Sequence, residues 1–145
     1  MGPDVGEVNP ADAWDILATE KDARLIDVRT RAEWGFVGVP DVSELGHSVI
    51  CTEWAQHPGM SVNPDFVATL EKSLGNEGPG KLLFLCRSGV RSLSAAKAIT
   101  AYFAEQGKAV ECFNVLEGFE GDLDSNGHRG NQNGWKHRGL AWRQS

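Results

Sequence analysis

The sequence predicts one α/β domain built on a doubly wound, mostly parallel sheet flanked by helices. Three observations carry this. Short β-rich runs alternate with segments of helical periodicity, the pattern of β-α-β units. One run, Lys-Leu-Leu-Phe-Leu-Cys at 81–86, is almost continuously apolar, as in a strand covered on both faces. The length, 145 residues, suits a single core and is too short for two. The domain is expected to span residues 1–145, with 1–8 as an N-terminal tail and 120–134 as a surface-loop insertion.

The elements follow in order. Asn9-Pro10 reads as a helix start, Asn at the cap and Pro in the first turn, with Trp14, Leu17 and Ala18 at helical spacing up to about Thr19. Residues 23–28 form a strand candidate, and Thr30 with Glu33 three positions on makes a capping box for a short helix. Residues 40–46 are turn-like, and 48–52 are β-branched enough for a strand. Asn63-Pro64 repeats the helix-start signal, with Phe66, Val67, Leu70 and Leu74 along one face, and residues 75–80 end that helix in a loop. The central strand follows at 81–86. After a six-residue loop, Ser92 is expected to cap a long helix with Leu93, Ala96, Ile99 and Phe103 on its apolar line, ending at Gly107. Residues 109–115 supply the last strand. Residues 120–134 hold four Gly and three Asn without a hydrophobic period, and the tail 135–142 carries two tryptophans that can lay a short helix or turn back on the domain.

Composition narrows the function. The chain is 41% hydrophobic and 23% charged, near the ordinary soluble range. No stretch approaches a membrane span, and the first residues lack the basic and apolar regions of a signal peptide, so the cytoplasm is the expected location. A formal charge of -6 argues against nucleic acid or an anionic membrane as the main partner. Cys51, Cys86 and Cys112 are scattered without zinc-site spacing and are expected to be free thiols. His47, His57, His128 and His137 show no ligand spacing, so neither a metal nor another cofactor is implied. Trp34, Trp54, Trp135 and Trp142 read as core or capping aromatics.

The chemistry concentrates at 86–92, Cys-Arg-Ser-Gly-Val-Arg-Ser, where a cysteine ends the central strand just before a helix N-terminus. Parallel sheets bind ligands beyond the carboxyl ends of their strands. A tight loop there turns backbone amides inward and the helix adds its positive end, which together stabilise an anion. Arg87 and Arg91 add two cations in an otherwise acidic chain, and all of these favour the thiolate of Cys86, the form that attacks. Arg87, Ser88, Gly89, Val90, Arg91 and Ser92 are the candidate substrate contacts, with Arg91 better placed than Arg87 because it closes the loop. Asp27 and Arg29, at a neighbouring strand end, are candidate supports. Cys51 and Cys112 lie in apolar strand-like contexts that suit small buried side chains rather than resolving thiols.

These residues resemble the rhodanese homology family. The Cys86–Arg91 segment is similar to that family's six-residue active-site loop, residues 25–29 followed by Glu33-Trp34 to its opening signature, and 114–118 to its closing strand and turn. The likeness covers most of 9–119, and 134–142 is similar to the family's Trp-containing end. The family's usual Gly-His-Ile-Pro-Gly-Ala is here Val37-Gly38-Val39-Pro40-Asp41-Val42, so the substrate-side wall is altered. The insertion at 120–134 can cover the mouth of the site or lie on the surface. The resemblance implies a sulfurtransferase in which Cys86 takes sulfur from a donor such as thiosulfate, holds it as a persulfide and passes it to a thiol or cyanide, with a protein donor or acceptor also open.

Two other readings compete. A sulfur-carrier or regulatory binding module would not turn over thiosulfate, although binding-only relatives commonly lack the cysteine present here. A cysteine phosphatase or arsenate reductase would share the Cys-loop-Arg cradle. Such phosphatases place five residues between Cys and Arg to surround a phosphate, whereas Cys86 and Arg91 have four between them and Leu85 stands where a phosphatase usually has His.

Overall fold

Chain order runs from strand β1 (Gly6–Val8) and helix α1 (Pro10–Thr19) through β2 (Arg24–Asp27) and α2 (Arg31–Phe36) into four two-residue strands, β3 (Val39–Pro40), β4 (Ile50–Cys51), β5 (Ala55–Gln56) and β6 (Ser61–Val62). Helix α3 (Phe66–Leu74), β7 (Lys81–Leu85), α4 (Val90–Glu105), β8 (Glu111–Val115) and β9 (Trp142–Arg143) complete it. This computed structural model describes residues 5–75 and 80–144. Residues 76–79 of the loop expected at 75–80, the first four residues and Ser145 lie outside that range.

Five strands form one sheet in the order β1-β8-β7-β2-β4, and every neighbouring pair is parallel. All five therefore end at the same edge. β7 is central and follows the strand period of two: Leu82 and Phe84 join the α3 and α4 side with Phe66, Leu70, Ala96, Ile99 and Phe103, while Leu83 and Leu85 join Ala13, Leu17, Phe119 and Trp135 on the other. Burying each large apolar side chain contributes about 1.5–3 kcal/mol, so the four buried residues of β7 anchor it from both faces. The molecule is a doubly wound α/β domain, as the alternation predicts.

Two helix starts match their signals. Asn9 Oδ1 accepts from Asp12 N at 2.8 Å, and Thr30 and Glu33 form the full capping box, Glu33 N donating to Thr30 Oγ1 at 3.3 Å and Thr30 N to Glu33 Oε1 at 3.2 Å. Elsewhere local contacts override the pattern. Helix α3 starts at Phe66 rather than Pro64, because Asn63 Oδ1 accepts from Asp65 N at 3.0 Å in a turn of its own while its Nδ2 donates to Glu53 O. Helix α4 starts at Val90, with Gly89 as its cap at φ 117, so Ser92 sits in the first turn and does not cap it. The expected tail contributes β1, paired with β8; three residues beginning with Gly are too few to show a strand period. The expected strand at 48–52 shrinks to Ile50–Cys51 at the outer edge of the sheet, which leaves Cys51 exposed rather than buried. The tail forms no helix. Trp135 is fully buried, and β9 pairs antiparallel with β3.

Candidate active site

Cys86 is the first residue past β7, at the edge where the parallel strands end. Its side chain is 1% exposed and lies at the floor of the loop. The positive φ of Gly89, a conformation that glycine adopts without steric cost, turns the chain so that Gly89 N donates to Cys86 Sγ at 3.1 Å. Just beyond it α4 begins, and the first amides of a helix have no intrahelical acceptor, so its positive end faces the sulfur's loop.

Ser92 Oγ is 3.2 Å from Cys86 Sγ and donates to Asn114 Oδ1, both residues being buried. Asn114 Nδ2 in turn donates to Gly89 O at 3.1 Å. The last strand of the sheet thus holds both the hydroxyl beside the sulfur and the glycine that turns the loop. The sequence reading did not single out Asn114. Its signal was a polar residue between Phe113 and Val115 in an otherwise apolar strand, which a central position leaves without water.

The two arginines are placed differently from each other. Arg91 turns to α2, where Nη1 meets Glu33 Oε1 at 2.7 Å and Nη2 meets Oε2 at 2.9 Å. Burial pushes the Glu33 carboxyl up, but the Arg91 guanidinium and Thr30 outweigh it and hold Glu33 at about 2. Glu33 raises Arg91 in return, mainly through the same hydrogen bonds. Arg87 is exposed. Both arginines line an open cleft of about 1030 Å³. Gly89 and Ser92 reach the sulfur, whereas Ser88 is half-buried and Val90 exposed, and neither side chain lines the cleft.

Asp27 and Arg29 are fully buried and paired, with Arg29 Nε 3.0 Å from Asp27 Oδ1 and Nη2 2.7 Å from Oδ2. Arg29 Nη2 also donates to Gly38 O, and its guanidinium lies 4.3 Å from the centre of the Phe119 ring. Phe119 N donates to Cys86 O at 2.8 Å, so the pair braces the segment on which the Cys86 carbonyl rests. Gly118 makes that approach possible, since a Cβ there would lie 2.5 Å from the Arg87 carbonyl.

The segment after Phe119 rises as one wall of the cleft, with Glu120, Leu123, Gly127, His128, Arg129 and Asn131 facing it. The insertion thus lines the same cleft as Arg87 and Arg91. The other thiols stand apart. Burial pushes Cys112 up to about 11, and protein bulk around the Cys51 sulfur, with Asp27 beside it, pushes Cys51 up to about 12 although its side chain reaches the surface. Among the described residues no group of His, Cys, Asp or Glu is placed to hold a metal ion, and no helix is long and apolar enough to cross a membrane.

A cysteine in an amide-lined loop at the carboxyl edge of such a sheet, just before a long helix, defines a rhodanese-like domain. The crystal structure of Rv0390 from Mycobacterium tuberculosis is 43% identical and superimposes with a TM-score of 0.83 over 99% of this chain and all of its own. A rhodanese-related protein from Thermoplasma volcanium (18% identity, TM-score 0.51, 97% and 99% coverage) and the homodimeric polysulfide-sulfur transferase of Wolinella succinogenes (19%, 0.59, 97% and 80%) share the fold. An uncharacterised protein of Rickettsia conorii, RC0915, is 34% identical over 130 residues, covering 90% of each chain. No family model matches the chain. The chain has the rhodanese-like fold and belongs to one family with the Mycobacterium and Rickettsia proteins.

Proposed function

We propose that the protein is a sulfurtransferase that moves sulfane sulfur through a persulfide on Cys86. The observation that carries this reading is the set of polar groups gathered at the sulfur: the Gly89 amide at 3.1 Å, the Ser92 hydroxyl at 3.2 Å and the start of a 16-residue helix. With thiosulfate, the Cys86 thiolate attacks the outer sulfur, a new S–S bond forms, and the S–S bond of thiosulfate breaks with its electron pair leaving on sulfite. The persulfide keeps the negative charge, and the loop donors stabilise it. Cyanide then takes the outer sulfur as thiocyanate, or a thiol takes it as a new persulfide, and the Cys86 thiolate returns.

The roles follow from position. Gly89 and Ser92 hold the sulfur, Arg87 makes the mouth cationic, Arg91 ties the loop to α2 through Glu33, Ser88 and Val90 contribute through backbone amides, and Asp27 with Arg29 brace the loop through Phe119. The reading places the protein in the cytoplasm, where thiols such as its three free cysteines stay reduced. One geometric point weighs against phosphatase or arsenate reductase chemistry: Arg91 is committed to Glu33 through two hydrogen bonds instead of closing a ring around a tetrahedral anion. The test is thiocyanate release from thiosulfate and cyanide. Turnover that vanishes in Cys86→Ser supports the reading. Phosphate release from an aryl phosphate without thiocyanate formation would replace it.

A further inference from the structure

Both Asn-Gly pairs of the chain, Asn126-Gly127 and Asn133-Gly134, fall within residues 120–134. In such a pair the glycine amide nitrogen can attack the asparagine side-chain carbonyl carbon, because no Cβ hinders its approach and glycine reaches the required dihedrals readily. How firmly the fold holds the reacting groups decides whether the attack happens. The two pairs are held very differently.

Asn133 is locked. Its Oδ1 accepts from Asp122 N at 2.8 Å, its Nδ2 donates to Asp122 Oδ2 at 2.9 Å, and Gly134 N donates to Glu117 Oε1 at 3.0 Å. Gly134 is also buried, with its Cβ position 2.6 Å from Gly121 N, so the pair cannot turn without parting the base of the insertion. Asn126 and Gly127 are exposed at the tip, and among the described residues the Asn126 side chain makes no hydrogen bond. Gly127 N is held by Asp124 O alone, at 3.0 Å, and nothing lies within 4 Å of its Cβ position. The rest of the tip turns on the Asp124 carboxylate. Its Oδ1 accepts from Asn126 N at 2.8 Å and His128 N at 2.9 Å, and its Oδ2 from Asn131 Nδ2 at 3.1 Å.

We infer that Asn126 is a site of spontaneous deamidation that rebuilds the tip of the insertion, while Asn133 is protected. Gly127 N attacks Asn126 Cγ and forms a new C–N bond. The bond from Cγ to Nδ2 breaks, and Nδ2 leaves as ammonia with the proton that Gly127 N gives up. Water then opens the cyclic imide at either carbonyl, leaving aspartate or an isoaspartyl link at 126, with nothing oxidised or reduced. Either product sets a second carboxylate beside that of Asp124. The isoaspartyl link also adds one carbon to the main chain between Asn126 N and His128 N, which removes the spacing that lets both amides share Asp124 Oδ1. Gly127 and His128 line the cleft, so its wall changes with the tip. The inference does not depend on the chemistry of Cys86.

The folded protein and a sample unfolded in guanidinium chloride are aged side by side in mildly alkaline buffer. Peptides covering each pair are read by mass for the gain of one unit that marks replacement of the amide by a carboxyl. For each pair, the rate in the fold is divided by the rate in the unfolded chain. Folding should slow Asn133 roughly 10- to 100-fold more than Asn126, since three hydrogen bonds must open there against one at Gly127. Asn126→Gln should abolish the gain at the tip. The aged natural protein should be cut within 120–134 by a protease several-fold faster than the fresh protein or the equally aged Asn126→Gln. Equal protection of the two pairs, or stronger protection of Asn126, would overturn the inference. Deamidation at Asn126 with no change in cleavage would overturn the rebuilt tip.

Discussion

Ser92 Oγ stands between two acceptors with one proton to give: Cys86 Sγ at 3.2 Å and Asn114 Oδ1. While Cys86 is a thiol it donates to Ser92, and Ser92 donates to Asn114. Once Cys86 is a thiolate, the Ser92 proton is the one that serves the sulfur. Ser92→Ala should therefore slow sulfur uptake by Cys86 roughly 10- to 100-fold, the worth of a hydrogen bond to a charged group. Ser92→Thr should restore much of the rate. A rate unchanged in Ser92→Ala would contradict this role.

The Glu33–Arg91 pair makes acid stability a second test. Glu33 titrates at about 2 in the fold against an ordinary value of 4.5. Its contribution is thus complete above pH 4.5 and is lost as the pH falls through about 2. The gap corresponds to roughly 3 kcal/mol. Urea unfolding of the natural protein and Glu33→Gln should differ fully at pH 7, and by less at pH 3. A difference that stays constant between these pH values would contradict the assignment.

Gly118 is held to glycine by both conformation and space, with φ 67 and a Cβ position 2.5 Å from the Arg87 carbonyl. Gly118→Ala should cost about 2–3 kcal/mol and lower Tm by roughly 5–10 °C. Gly139, at φ 78 with nothing within 4 Å of its Cβ position, is the control. Gly139→Ala should cost only about 1 kcal/mol. Equal losses in the two variants would mean that the approach to the Cys86 loop carries no energy of its own.

Cys51 and Cys112, held at about 12 and 11, should be poor nucleophiles at neutral pH. At pH 8 their thiolate fractions are about one part in ten thousand and one in a thousand. Brief iodoacetamide treatment of Cys86→Ser at pH 8, read by intact mass, should leave the protein largely unmodified. Rapid uptake at Cys51 would revive it as a resolving thiol.

The parts of this fold legible in the sequence are those where local chemistry and tertiary packing agree. The Thr30–Glu33 capping box and the apolar run ending at Cys86 both state their structure in the residues themselves. Disagreement arises where a distant partner decides. Ser92 has the side chain of a helix cap, but Asn114, from another strand, draws it inward and leaves Gly89 at the cap. Arg91 closes the expected loop, yet its orientation belongs to Glu33, 58 positions away in sequence. The strand at Gly6–Val8 exists because β8 offers it an edge, which three residues cannot announce. Residues 120–134 have no hydrophobic period because they fold around polar side chains, Asp124 above all.

The central claim is that Cys86 carries the transferred sulfur, and the most direct measurement is intact mass after incubation with thiosulfate, with Cys86→Ser alongside. The account predicts a gain of one sulfur atom on the natural protein, reversed by cyanide with release of thiocyanate and absent from the variant. No gain on the natural protein, or an equal gain on Cys86→Ser, would contradict it.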